Sequence, residues 1–130
     1  MRVVFDSNVL IAALVFPGGA ADQATRRVVG GADHLLVSKP IIEEVLRVLS
    51  RKFSRDREEL ARVAVFLADT AELVEATHQA DALTDEPDNR ILECAVSGKA
   101  DVIVTGDRAM LRLGQYAGVS IITLRDFLES

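Results

Sequence analysis

Asp6, Glu44, Asp88 and Asp107 are four acids that the fold logic of the chain brings toward one place. Carboxylate oxygens are the hard ligands that Mg²⁺ and Mn²⁺ prefer. Clustered without a cation, such groups raise one another's pKa and destabilise the fold. Clustered around one or two divalent ions, they can generate a hydroxide and support in-line attack on phosphorus. Taken singly, each has a plainer reading. Asp6, in Phe5-Asp6-Ser7-Asn8, and Asp107, in Val104-Thr105-Gly106-Asp107, sit where helix caps belong, a role worth about 1 kcal/mol. Asp88 shares a helical face with Ile91, Leu92, Ala95 and Val96, so it is directed inward, which is costly unless it is paired or bound to a cation. As an anion in a first helical turn, it also suits the helix dipole. Glu44 lies nearer the apolar stripe of Ile41, Ile42, Val45, Leu46, Val48 and Leu49 than Glu43 does. Glu43 reads as a solvated charge beside Arg47, and a surface charge is the plain reading of Glu44 too.

Other chemistries find no support. His34 and His78 are isolated, and each reads as structural or exposed. Cys94 is the single cysteine and is expected to pack in the core. No Ser-His-Asp or Cys-His set, P-loop or GxGxxG stands in the chain.

The elements that position these acids alternate. Val3–Phe5, Leu35–Val37, Val102–Val104 and Val119–Ile122 are short apolar runs, as expected of strands buried on both faces. Glu72–Val74 is a fifth strand candidate. Helices are predicted over 20–29, 40–49 (with Ser38 and Pro40 at the cap and first turn), 56–68, 87–97 (ending at Gly98), 108–113 and 124–128. Strand–helix alternation implies an α/β/α sandwich, a parallel sheet of about five strands covered on both faces. In such sheets function collects beyond the carboxyl ends of the strands, and Asp6 and Asp107 fall there.

The chain has 130 residues, 49% hydrophobic and 27% charged, enough for a sizeable core and far from disorder. One domain over 1–130 is expected. The formal charge of −5 is unevenly spread: ten Lys/Arg face eight Asp/Glu in residues 1–65, and five face twelve in residues 66–130. No segment resembles a signal peptide, and the apolar stretch 9–16 is too short to span a bilayer. A cytoplasmic protein without a membrane partner is the expectation, in keeping with the cysteine count.

The motifs, in order, resemble the PIN-domain family, especially the ribonuclease toxins of type II toxin–antitoxin systems. The opening Val3-Val4-Phe5-Asp6-Ser7-Asn8-Val9-Leu10 resembles the family's strand, Asp, small polar residue, Asn and apolar helix. The segment 38–49 resembles its Glu-bearing helix, with Glu44 as the acid. Asp85-Glu86-Pro87-Asp88-Asn89-Arg90-Ile91-Leu92 resembles the third motif, and Val104-Thr105-Gly106-Asp107-Arg108 the fourth. Each motif alone is weak; four in this order are specific, and they span nearly the whole chain. The resemblance implies an Mg²⁺- or Mn²⁺-dependent endoribonuclease with Asp6, Glu44, Asp88 and Asp107 as ligands. Ser7, Asn8, Asn89 and Thr105 fit supporting polar positions. The resemblance also implies a homodimer and a cognate antitoxin. One departure stands at Ala109, where relatives often carry a further Asp; it bears on a second metal and leaves a one-metal site intact.

An acidic pocket needs a basic edge to hold RNA. Arg47, Arg51, Lys52, Arg55, Arg57 and Arg62 form the densest basic run, balanced in part by Asp56, Glu58 and Glu59. Arg47, Arg51, Lys52 and Arg55, with Arg108 beside Asp107, are the candidate phosphate contacts. With five Phe, one Tyr and no Trp, base stacking is not the main source of affinity. Phe16 and Phe53 are expected to pack or to meet a partner. Three other classes compete. An aspartyl phosphatase would want a second Asp where Asn8 stands. A phosphoreceiver would want a Lys ending a later strand, but Lys99 precedes its strand. The alternative kept beside the nuclease is a non-catalytic RNA- or protein-binding module on the same fold.

Overall fold

The computed structural model describes residues 1–130. Its centre is β1 (Arg2–Phe5), whose Val3, Val4 and Phe5 are sealed from solvent. The chain then forms α1 (Ser7–Val15), α2 (Ala20–Val29), β2 (His34–Val37), α3 (Lys39–Lys52), α4 (Arg57–Thr70) and β3 (Glu72–Leu73). It continues through α5 (Glu86–Ser97), β4 (Val102–Val104), α6 (Arg108–Leu113), β5 (Gln115–Tyr116), β6 (Val119–Ile122) and α7 (Leu124–Glu129).

The sheet runs β3-β2-β1-β4-β6-β5 and is parallel except for β5. It has six strands where five are expected from the sequence. The extra strand is a two-residue hairpin partner of β6, turned through Ala117 (φ 48°) and Gly118 (φ 85°). Both turn residues lie at positive φ, the geometry that continues strand twist across a two-residue loop. From β1 the chain first adds strands on one side, then returns to add β4 and β6 on the other. Parallel crossovers are right-handed, so this reversal carries the helices onto both faces. Helix α1 packs on α2 and α3, α2 on α7, and α3 on α4, while α5 lies directly across β1, β2 and β4.

Helix α1 is absent from the periodic pattern because its sequence SNVLIAALV is apolar almost all round. The ends of other helices differ from expectation in a physical way. Ser38 occupies the N-cap position of α3, yet its hydroxyl makes no capping bond; it is buried beside the Cys94 thiol. Burial pushes that thiol up to about 12, so Cys94 is an inert core residue. Asp56 caps α4 by accepting from the Glu59 N–H at 2.9 Å.

The core is one cluster of 30 buried residues, drawn from the strands and the inward faces of the helices. Phe5 meets Phe127 of α7 edge-on at 5.6 Å, which docks the C-terminal helix. Arg27 lies 4.4 Å over the Phe127 ring and donates to buried Asp33 at 2.6 Å. Phe16 and Phe53 do not pack into this core; both are exposed. No helix is long and apolar enough to cross a membrane.

Candidate metal centre

The site grows from the point where the strand order reverses. Strands β1 and β4 are neighbours in register, with Phe5 opposite Val104. The next residues, Asp6 and Thr105, therefore emerge side by side at the carboxyl edge, where a crevice forms in parallel sheets. Asp6 is 4% exposed and Thr105 is fully buried. The Thr105 hydroxyl donates to Asp6 Oδ2 at 2.6 Å and accepts from the Asp107 N–H at 3.0 Å. One hydroxyl thus ties the acid after β1 to the loop carrying the acid after β4. Asp6 Oδ1 also accepts from the Asn8 N–H, and Asp107 Oδ2 from the Met110 N–H at 2.8 Å. Both acids cap their helices, so the plain reading of each holds beside any further role.

Asp88 is different. It stands in the first turn of α5 and is 9% exposed, facing inward as the helical wheel requires. Burial, then the charges of Asp107, Asp6, Asp85 and Glu44, push its carboxyl up to about 7. No hydrogen bond stands among these causes. Burial also raises Asp6, opposed by the Thr105 and Asn8 hydrogen bonds and reinforced by the Asp107 charge. The four sequence-selected acids therefore share one electrostatic neighbourhood. Asp85, in the same Asp-Glu-Pro-Asp run, adds to it.

Beside this neighbourhood lies a cleft of about 240 Å³ between the N-terminal halves of α3 and α5. Glu43, Glu44 and Arg47 line it from α3, Glu86, Pro87 and Arg90 from α5, and Ser7 from α1. Glu44 is half-buried and Glu43 exposed, as their places on the wheel require. Glu44 is ion-paired with Arg47 one turn on. Asp6 and Asp88 do not line the cleft, but their chain neighbours Ser7 and Pro87 do.

An all-carboxylate donor set suits a hard divalent cation. Burial and neighbouring charge disfavour the ionised forms of Asp88 and Asp6, and a bound divalent ion would favour them. No three acidic, His or Cys side chains are drawn into a ready-made cage, however. Each of three acids is turned to a donor of its own: Asp6 to Thr105, Asp107 to the α6 backbone, Glu44 to Arg47. Like charges without a counter-ion stay apart for the same reason.

The supporting positions divide. Ser7 is buried at the cleft, while the Asn8 side chain is exposed. Asn89 is fully buried but faces the preceding loop, where its amide exchanges hydrogen bonds with the Leu83 N–H (3.0 Å) and carbonyl (2.8 Å). Glu93, buried on α5, accepts from the Ala80 N–H at 2.9 Å and pairs with Arg90. These two residues pin residues 80–83 to α5, and nothing in the helical pattern announces them. Arg90, which lines the cleft, was not among the sequence candidates; it falls one turn after Glu86, with which it pairs. Among the basic candidates, Arg55 pairs with Glu59, and Arg62 of the same run with Glu58, while Arg51, Lys52 and Arg108 are exposed. His34 is exposed against Glu72, and His78 bonds the Tyr116 hydroxyl at 2.8 Å.

Three comparisons bear on this arrangement. Residues 2–109 match the PIN domain family. An uncharacterised protein of Methanocaldococcus jannaschii is 25% identical over 117 residues, covering 87% of this chain and 75% of its own length. A chain of VapBC2 from Rickettsia felis, solved bound to a DNA fragment from its promoter, superposes with a TM-score of 0.68 at 12% identity. That match covers 95% of this chain and 98% of the other, and at such identity it speaks for the fold. With the family match running from the first strand through the fourth acid, this chain belongs to the PIN-domain family.

Proposed function

We propose that this chain is an Mg²⁺- or Mn²⁺-dependent endoribonuclease, acting as one domain over residues 1–130. The observation that carries the reading is Asp88, an inward acid raised to about 7 by burial and by the charges converging on it. Membership of the PIN-domain family supports nuclease chemistry. In this reading Asp6, Glu44, Asp88 and Asp107 hold the ion. A bound Mg²⁺ or Mn²⁺ would supply an activated water and offset charge at the attacked phosphate. The chain's own residues set the stage for it. Thr105 fixes the orientation of Asp6, and Asn89 and Glu93 hold the loop that leads into Asp88. Arg51 and Lys52, free of ion pairs, together with Arg47, Arg55 and Arg108, position the RNA backbone by charge.

The likeness to a VapBC2 chain supports a cognate antitoxin as partner, and the reading extends to a cytoplasmic, homodimeric toxin. A largely apolar cleft of about 270 Å³, with Leu10, Ala13 and Leu14 of α1 on one side and Phe66 and Leu67 of α4 on the other, offers such a partner a surface.

The test is cleavage of a labelled single-stranded RNA with Mg²⁺ or Mn²⁺, with and without EDTA. Wild type should cut only with metal, and Asp6→Asn and Asp88→Asn should lose cutting. Equal, chelator-resistant cleavage by all three proteins contradicts the reading. A second reading, a binding module without turnover, is favoured by the lack of a preformed cage. Tight RNA binding with no cleavage in any divalent metal would select it.

A further inference from the structure

The ion pair between Arg47 and Glu44 has a bearing on how the site is loaded. Glu44 is one of the acids whose charge raises Asp88, so it belongs to the cluster electrostatically. Yet its carboxylate is taken by Arg47, one turn further along α3. Arg47 lines the same cleft, with its side chain half exposed to solvent. A cation of the chain's own therefore neutralises the one candidate ligand that lines the cleft. Its neighbours Asp6 and Asp107 are satisfied by neutral hydrogen-bond donors instead.

We propose that Arg47 is a positioning residue that competes with the divalent ion for Glu44, and that metal loading releases its guanidinium to meet an RNA phosphate at the cleft. The inference rests on the nuclease reading and adds a coupling to it. A carboxylate engaged by Arg47 has fewer lone pairs to offer an ion, so the pair weakens metal binding in the RNA-free protein. When the ion takes Glu44, Arg47 loses its partner where the substrate arrives. A guanidinium suits a phosphate because its planar fork of donors can bond two oxygens at once. By linkage, whatever the ion does to RNA affinity through Arg47, RNA does to metal affinity in equal measure. The same helix presents Arg51 about 6 Å further along its axis, so a released Arg47 would begin a basic track running away from the acids.

The experiment measures Mn²⁺ binding to the RNA-free protein by calorimetry, with circular dichroism to check folding. Arg47→Ala and Arg47→Gln should bind Mn²⁺ about threefold more tightly than wild type, the order expected from losing one helical ion pair and one nearby positive charge. Arg57→Ala removes a charge at the exposed start of α4, outside the cleft, and should leave the affinity unchanged. In a second arm, a labelled oligoribonucleotide is bound in EDTA and in Ca²⁺, with the strand checked for integrity afterwards. Ca²⁺ should improve RNA binding more for wild type than for Arg47→Ala. Folded Arg47 variants that bind Mn²⁺ no better than wild type would overturn the proposal. So would equal tightening by Arg57→Ala, or an equal Ca²⁺ gain in both proteins. Absence of Mn²⁺ binding by wild type would instead overturn the metal site itself, a distinguishable failure.

Discussion

Asp88 is buried among like charges. Its carboxyl is raised from an ordinary 3.8 to about 7, first by burial and then by Asp107, Asp6, Asp85 and Glu44. Between those values the folded protein keeps a proton that the unfolded chain has released. Stability is therefore highest below the unfolded value and falls as pH rises toward 7. Asp6, also raised, acts in the same direction. Metal-free wild type should melt lower at about pH 8 than at about pH 5. Asp88→Asn should flatten that dependence and melt higher than wild type at the upper pH. Thermal melts in EDTA check both; a wild type with identical melts at the two values would show that the cluster bears no such charge. Thr105→Val tests the hydroxyl that orients Asp6. It should lower metal affinity by about 10- to 100-fold, as loss of an outer hydrogen bond to a ligand does, measured by calorimetry against wild type. Asp88 was readable from the sequence because one turn of helix relates it to a plain apolar stripe. Glu93 was not, and Asn89 was signalled only by the likeness to a family motif, since their partners lie in a loop at residues 80–83 that has no periodicity.

Elements hold these residues only as well as they meet one another. Helix α5 ends where Gly98 passes against β2 and the segment after β3. A methyl group there would come within 2.8 Å of Val74 Cγ2 and 2.9 Å of Leu36 Cδ1. Gly98→Ala should therefore destabilise the protein by about 1–3 kcal/mol through overpacking, seen as a lower urea midpoint. An unchanged midpoint would mean that α5 can slide on the sheet. The longer strands and most helices were legible in the sequence because both-face burial and one-face burial leave different periods. Two elements were hidden from periodicity for opposite reasons. Helix α1 is too uniformly apolar to show a face, and only its likeness to a family motif signalled it. Strand β5 is two residues long and turns through Ala-Gly, without the Asn or Asp that marks most such hairpins. At the site, the order of the strands mattered more than their number. Asp6 and Thr105 meet because β1 and β4 are neighbours, which strand–helix alternation alone leaves open.

Over the whole molecule, the net charge of −5 misleads about partners. The acids that matter are gathered at one edge and largely buried, and the basic run on α3 and α4 meets them at Arg47, which pairs with Glu44. Glu58 and Glu59 absorb part of that run through two ion pairs, leaving Arg51, Lys52 and Arg57 without partners. RNA binding should weaken as salt rises, because each neutralised phosphate releases counterions. The double variant Arg51→Ala, Lys52→Ala should bind more weakly and lose about 0.7 of log–log salt slope per phosphate contact removed. Fluorescence anisotropy across a salt series measures this, and an unchanged slope would place the RNA elsewhere. All of these expectations turn on whether the carboxylates at the sheet edge hold a metal ion. The most direct measurement is anomalous diffraction from Mn²⁺ in crystals grown above the Asp88 pKa. The expected result is one strong peak bounded by Asp6, Asp88 and Asp107, with Glu44 turned toward it and away from Arg47. An empty map at that edge under saturating Mn²⁺, or a peak only at distant surface acids, would contradict the metal centre.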